Sequence, residues 1–403
     1  MAVISDPPRL RHSGAAVAVL FFVNGMTFSN WLPRVPEVRD RLGVGNAGIG
    51  AVLLGGGLGG MLGALLVGRL SDHYGSKRLL LWAAGALAIG LPMIGIVPVA
   101  ALLFVVLTVL GTLDVLNDVS MNAQGVMIQE RLGRSIMNRL HGMWSLGFLA
   151  GAVIGSTMAA AGVDVRAHLL IIGALLFASI QVVRPWLLPV DDPHEPLTDA
   201  TAPARPPRVS PVVMLMAAAA LAAMALESMP SEWAAVMMRD DFDLGKRAGF
   251  GTVTIALAML VGRLVGDHVL DRVGERRLLL GAVAMTAVGL ATTAAAPVAA
   301  VAFAGLLIWG LGLSVVFPQL YATAARLPGT SAGTGLGSML LGQRFGAMST
   351  AAGVGALAEW RSVRFAFFVV GLLAVVVLLF TIRGMNRLAA RRPTSESSRA
   401  AQA

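Results

Sequence analysis

Asp114, Asp118 and Asn122 stand four residues apart in the otherwise apolar stretch "LTVLGTLDVLNDVSMNAQGVM". On a helix all three share one face. A carboxyl group in such a place can gain and lose a proton, and a file of polar groups can hydrogen-bond a solute. Two more apolar runs carry the same anomaly. "ALESMPSEWAAVMM" sets Glu227 and Glu232 around Pro230, and "LLGQRFGAM" sets Gln343 beside Arg344. A charge near the centre of a bilayer costs at least about 2.5 kcal/mol, so each of these groups must face a wet cavity or a partner. Asp114, Glu227 and Asp118 are therefore candidates for reversible protonation. Arg344, permanently charged, suits an anionic solute group or one of the acids across a cavity. Asn24, in "FFVNGMTFSNWLPRVP", joins Asn117, Asn122, Trp309 and Gln343 as a candidate cavity residue. For Asn117 and Asn122 the alternative is hydrogen bonding between helices. Trp31 and Pro33 read as an interfacial anchor and a helix stop, Glu232 and Trp233 as outer interface, and Arg263, beside Asp267, as structural.

The elements that must place these groups are membrane helices. Of 403 residues, 56% are hydrophobic and 13% charged, outside the balance of a soluble chain. Twelve apolar runs, from 14–33 to 363–383, meet the length of a bilayer crossing. The expected fold is an all-α membrane protein of 12 transmembrane helices. A Pro-rich stretch separates residues 1–188 from 211–383, so residues 189–210 read as a cytoplasmic linker and 384–403 as a disordered cytoplasmic tail. Pro230 is expected to kink or unwind its helix.

Net charge is +9, yet Lys and Arg sit in short turns between apolar runs. They form no basic face for nucleic acid, and their bias selects an orientation with both termini in the cytoplasm. The absence of cysteine excludes disulfides and thiolate metal sites, and the six His are dispersed. No metal or cofactor is expected, and no hydrolase or phosphate-loop motif suggests an enzyme.

"GRLSDHYGSKRLLL" at 68–81 returns as "DRVGERRLLL" at 271–280, which marks an internal duplication. Gly68, Asp72, Gly75, Lys77 and Arg78, with the weaker copy Asp271, Arg272, Gly274, Arg276 and Arg277, resemble the signature turns of the major facilitator superfamily. His73 stands where that family usually has a cation, and Asp267 at the place matching Gly68. The resemblance implies two pseudo-symmetric six-helix bundles that rock about a central cavity, with Asp72 and Asp271 as gating contacts between them. The acids of "LDVLND" resemble the fucose permease branch, which implies proton coupling through span 4. The expected function is proton-coupled transport of a sugar-like or polar solute by a monomer in the cytoplasmic membrane, with solute, protons and lipid as partners. Proton-driven efflux of drug-like metabolites is the alternative.

Overall fold

A chain segment that leaves water must bond its own N–H and C=O groups internally, and a helix does so without any partner segment. The computed structural model describes residues 7–188, 210–325, 327, 330 and 332–390, and among them all regular structure is helical. In chain order the helices are α1 (Pro7–Ser29), α2 (Val35–Leu42), α3 (Asn46–Gly90), α4 (Met93–Ile96), α5 (Ala100–Leu132), α6 (Met137–Ala160) and α7 (Val165–Val183). They continue as α8 (Pro211–Asp240), α9 (Phe250–Val273), α10 (Glu275–Ala294), α11 (Ala299–Leu313), α12 (Val316–Ala325), α13 (Ala332–Trp360) and α14 (Val363–Ala390). Ten stretches among the described residues are long and apolar enough to cross a membrane. The run Asn46–Ile96 counts among them once although Gly75 divides it, and α13 is not one of them. The outer surface is apolar, with Leu65 75% exposed, Leu264 73% and Phe380 69%, as contact with lipid requires.

Prolines decide where the helices differ from the apolar runs. Pro33 stops α1 at Ser29 as expected, and a short 3-10 turn, Leu32–Arg34, leads into α2. Pro230 does not unwind its helix: α8 runs through it, and Ser231 Oγ donates 2.7 Å to the Glu227 carbonyl one turn back. Pro318 has the larger effect. Lacking an N–H for the Ser314 carbonyl, it separates α11 from α12 within what the sequence presents as one run. The final helix passes the predicted end at 383 and reaches Ala390. The linker 189–209 and the tail beyond 390 lie outside the described residues.

Small residues let the helices approach closely. Gly55, Gly59 and Gly63 of α3 each meet the α5 backbone, and Gly147, Gly151 and Gly155 of α6 form the same kind of ladder against α1. The duplicated turn is also duplicated in conformation: Gly75 has φ 74°, ψ 154° and Gly274 φ 80°, ψ 159°. Only glycine adopts that region freely. Gly75→Ala and Gly274→Ala are each expected to destabilise the fold by about 1–3 kcal/mol. A thermal melt of the detergent-solubilised variants measures it, and an unchanged midpoint for both would refute the strain.

The two segments, before residue 189 and after 209, touch along α3 with α13 and α6 with α9. From one end inward, Glu359 covers Gly45 and accepts from Ala47 N at 3.2 Å, Gly50 meets Ala351 and Gly355, and Gly57 meets Met348. Two reciprocal ion pairs close the same end: Arg39 of α2 binds Asp240 of α8 through both carboxylate oxygens, and Arg239 binds Asp40. Toward the other end glycines of the same two helices face open space. A Cβ added at Gly68 of α3 or Gly337 of α13 would meet nothing within 4 Å.

Candidate functional site

Between them the segments enclose a cavity of about 300 Å³. Its charged lining comes from four helices: Asp114 on α5, Glu227 and Glu232 on α8, Arg263 on α9 and Arg344 on α13. The sequence reasoning required Asp114, Glu227 and Arg344 to face a wet cavity or a partner, and the fold brings all three to this cavity.

One guanidinium is in an ion pair with a lining acid, and the other crosses between the segments. Arg263 Nη2 lies 3.8 Å from Glu227 Oε1, and its Nη1 donates 3.0 Å to Ser145 Oγ on α6. Arg263 also stands over the Trp144 ring, 6.0 Å from the centroid. Arg344 reaches across the segment boundary to α3, where a Cβ added at Gly60 would lie 2.6 Å from its Nη1. Among the described residues it makes no ion pair within 4 Å, and its charge reaches Asp114 and Asp118 from farther off. Asp114 Oδ1 accepts 3.1 Å from Asn24 Nδ2, and Asn24 Oδ1 accepts 2.8 Å from Trp144 Nε1. Trp144 therefore joins the two charge systems, with its indole N–H toward Asn24 and its ring under Arg263. Phe148 stacks on it at 5.4 Å, and Phe28 and Trp31 line the same space.

Other predicted residues are elsewhere. Asn24 acts from behind Asp114 and is not itself in the lining. Asp118 is exposed and accepts 3.1 Å from Asn122 Nδ2, one turn on. Gln343 Oε1 accepts from Tyr321 at 3.4 Å, outside the lining. Asn117 is 3% exposed, packed among helices. Trp309 belongs to a core instead of the cavity: it is fully buried, edge-on to Phe367 at 5.6 Å, because α11 packs tightly on Gly289 of α10.

Gly68, Asp72, Arg78, Asp271, Arg272, Arg276 and Arg277 lie toward the end away from Arg39 and Asp240, all of them exposed or partly so. Lys77 Nζ donates 2.7 Å to the Leu187 carbonyl within its own segment. Among the described residues neither Asp72 nor Asp271 pairs with the opposite segment, and the ion pairs between segments are at the other end.

Sequence reasoning missed three groups. Arg263 was read as structural, Glu232 as outer interface and Trp31 as an interfacial anchor, yet all three line the cavity. The signal that exposed Arg344, a guanidinium inside an apolar run, was equally present at Arg263. His168 and Arg34, both buried, form a further polar contact at 3.2 Å that composition does not announce.

Among the described residues no group of His, Asp and Glu could hold a metal ion. Comparison with known proteins follows the architecture. An uncharacterized MFS-type transporter of Yersinia pestis is 28% identical over 361 residues, which is 89% of this chain and 92% of that protein. Two solved structures share the fold. A bacterial homologue of the human lysosomal transporter Spinster matches with a TM-score of 0.73 and 11% identity, covering 97% of this chain and 100% of the other. The FucP transporter matches with a TM-score of 0.61 and 14% identity, covering 92% and 98%. The sequence pattern that defines the Major Facilitator Superfamily matches residues 17–351, and the chain belongs to that family.

Proposed function

We propose that the chain is a proton-coupled secondary carrier that moves a small organic solute across the cytoplasmic membrane by alternating access. In this reading it is a monomer of twelve spans, with six-helix bundles at 1–188 and 211–383 and both termini cytoplasmic. The observation that carries it is the charged cavity itself, built from both segments, closed toward Arg39 and Asp240, with open space at Gly68 and Gly337. A carrier needs a site that both halves share and that faces one side at a time. The bias of Lys and Arg toward the Gly68 end supports a cytoplasmic opening. Asp72 and Asp271, which pair with nothing in the opposite segment among the described residues, would meet partners when that end closes.

Asp114 is the proton site in this reading. It accepts from Asn24 and lies within the field of Arg344, so gain or loss of its proton changes the balance across the boundary between segments. The test is uptake of a solute panel into proteoliposomes with and without an imposed pH gradient. Asp114→Asn should lose gradient-driven accumulation and keep solute counterflow. Accumulation that remains equally gradient-driven in the variant would overturn the assignment. Solute moving with the proton marks uptake of a polar metabolite, and solute moving against it marks efflux.

A further inference from the structure

The cavity has three carboxyl groups and two guanidinium groups, and they do not pair off completely. Asp114 has Asn24 and the charge of Arg344, and Glu227 Oε1 has Arg263. Glu232 has neither. Its Oε2 is sealed from water with no hydrogen-bond partner, and no charged group acts on it among the described residues. The vacancy is wider than one atom. Glu227, Ser228 and Trp31 belong to the same lining, and Glu227 Oε2, Ser228 Oγ and the Trp31 indole N–H, each buried within it, also lack partners among the described residues. Residues 227, 228, 231 and 232 share one face of α8, so both carboxyl groups of this helix belong to one wall. Buried acceptors, above all a carboxylate, cost several kcal/mol unless a donor meets them.

An ammonium group brings the positive charge that Glu232 lacks, and donors for the oxygens of its carboxylate. A neutral hydroxyl brings one donor and leaves Glu232 uncompensated, and a carboxylate brings none. Apart from Asp114, Ser145, Arg263 and Arg344 the remaining lining is aromatic and apolar, with Phe28 and Trp31 available to cover the body of a compact solute and the face of its cation. The cavity is at the small end of ligand sites, which limits that body to about one ring.

We propose that the solute is a compact ring-bearing primary amine whose ammonium group is held by the carboxylate of Glu232, the lining acid that has no cation of its own. This rests on the carrier reading for its transport, though not for its binding. Two solute series with one body and three charges test it: phenethylamine, 2-phenylethanol and phenylacetate, then glucosamine, glucose and glucuronate. Binding to the solubilised protein is followed by thermal shift, and exchange by counterflow in proteoliposomes. The amine of one series should bind and exchange where its neutral and acidic counterparts do not. Glu232→Gln should weaken amine binding roughly 10- to 100-fold, the loss of one charge-assisted hydrogen bond, and Glu232→Asp should restore most of it.

A neutral or acidic member that binds as well as its amine would overturn the proposal, as would an amine bound equally by Glu232→Gln, or binding by no amine at all. Exchange of a non-amine would then leave the carrier reading standing. Amine binding without exchange would have the opposite meaning: the carrier reading falls and the site remains. A melt of each variant without solute separates lost binding from lost folding.

Discussion

Arg344→Gln should reduce transport about 100-fold or more, a larger loss than from either acid in its field alone. Arg344 belongs to α13 in the second segment, but its guanidinium rests on Gly60 of α3 and its charge acts on Asp114 of α5 in the first. Removing it leaves Asp114 inside the protein with only the Asn24 amide, and an uncompensated buried charge costs about 3–5 kcal/mol. That cost falls on whichever state buries Asp114 most, so it acts on the conformational balance as well as on binding. Arg344→Lys keeps the charge and loses the planar fork, and recovers only part of the rate. The double variant Asp114→Asn, Arg344→Gln separates coupled charges from a merely structural arginine, because it removes both charges at once. It should exchange solute faster than Arg344→Gln alone while remaining unable to use a pH gradient. Counterflow rates for the wild type and the three variants complete the cycle, and additive losses, or an Arg344→Gln rate within about threefold of wild type, would refute the coupling.

What was legible in the sequence was legible because it was expensive. Asp114, Glu227 and Arg344 stand out in apolar runs since lipid offers nothing to a charge, and all three do meet in the cavity. The duplicated turn was legible as a repeat of letters, and Gly75 and Gly274 repeat it in backbone angles. Depth was harder to read. Glu232 and Trp31 were assigned to an interface by counting from the ends of apolar runs, but α8 continues to Asp240 and the chain after α1 continues through α2, so the protein extends past those ends. The break at Pro318 was hidden by uninterrupted apolarity on both sides, while Pro230, which looked like a break, is carried within an intact helix. Side-chain pairing was not legible at all. Nothing in the order of residues says that Trp144 would bridge Asn24 and Arg263.

The closed end of the molecule shows the same limit most clearly, and from it comes the second large effect. The dipeptide Arg-Asp occurs at 39–40, at the end of α2, and again at 239–240, at the end of α8. Each arginine binds the other copy's aspartate, so the contact is reciprocal in the manner of a two-fold interface, although both halves belong to one chain. A single exposed ion pair contributes little, about 0.2–1 kcal/mol. Reversing both acids, Asp40→Arg with Asp240→Arg, does more than delete two pairs: it gathers four guanidinium groups at one seam and replaces attraction by repulsion. The expected result is a population shift toward a state open at that end. It can be read with one thiol, since the chain has no cysteine of its own. Ala347→Cys places the thiol in the cavity lining, one turn of α13 from Arg344. An impermeant maleimide added from the Arg39 side should label the reversed variant roughly 10- to 100-fold faster than the otherwise wild-type Ala347→Cys protein, a shift of about 1.4–2.8 kcal/mol. Molar salt should shrink that difference, because exposed charges are screened. Restoring opposite signs with Arg39→Asp and Arg239→Asp in the same chain should return labelling to its slow rate. Labelling that is equally slow in all three proteins would mean that the helix seam of α3 and α13 closes this end without help from the ion pairs.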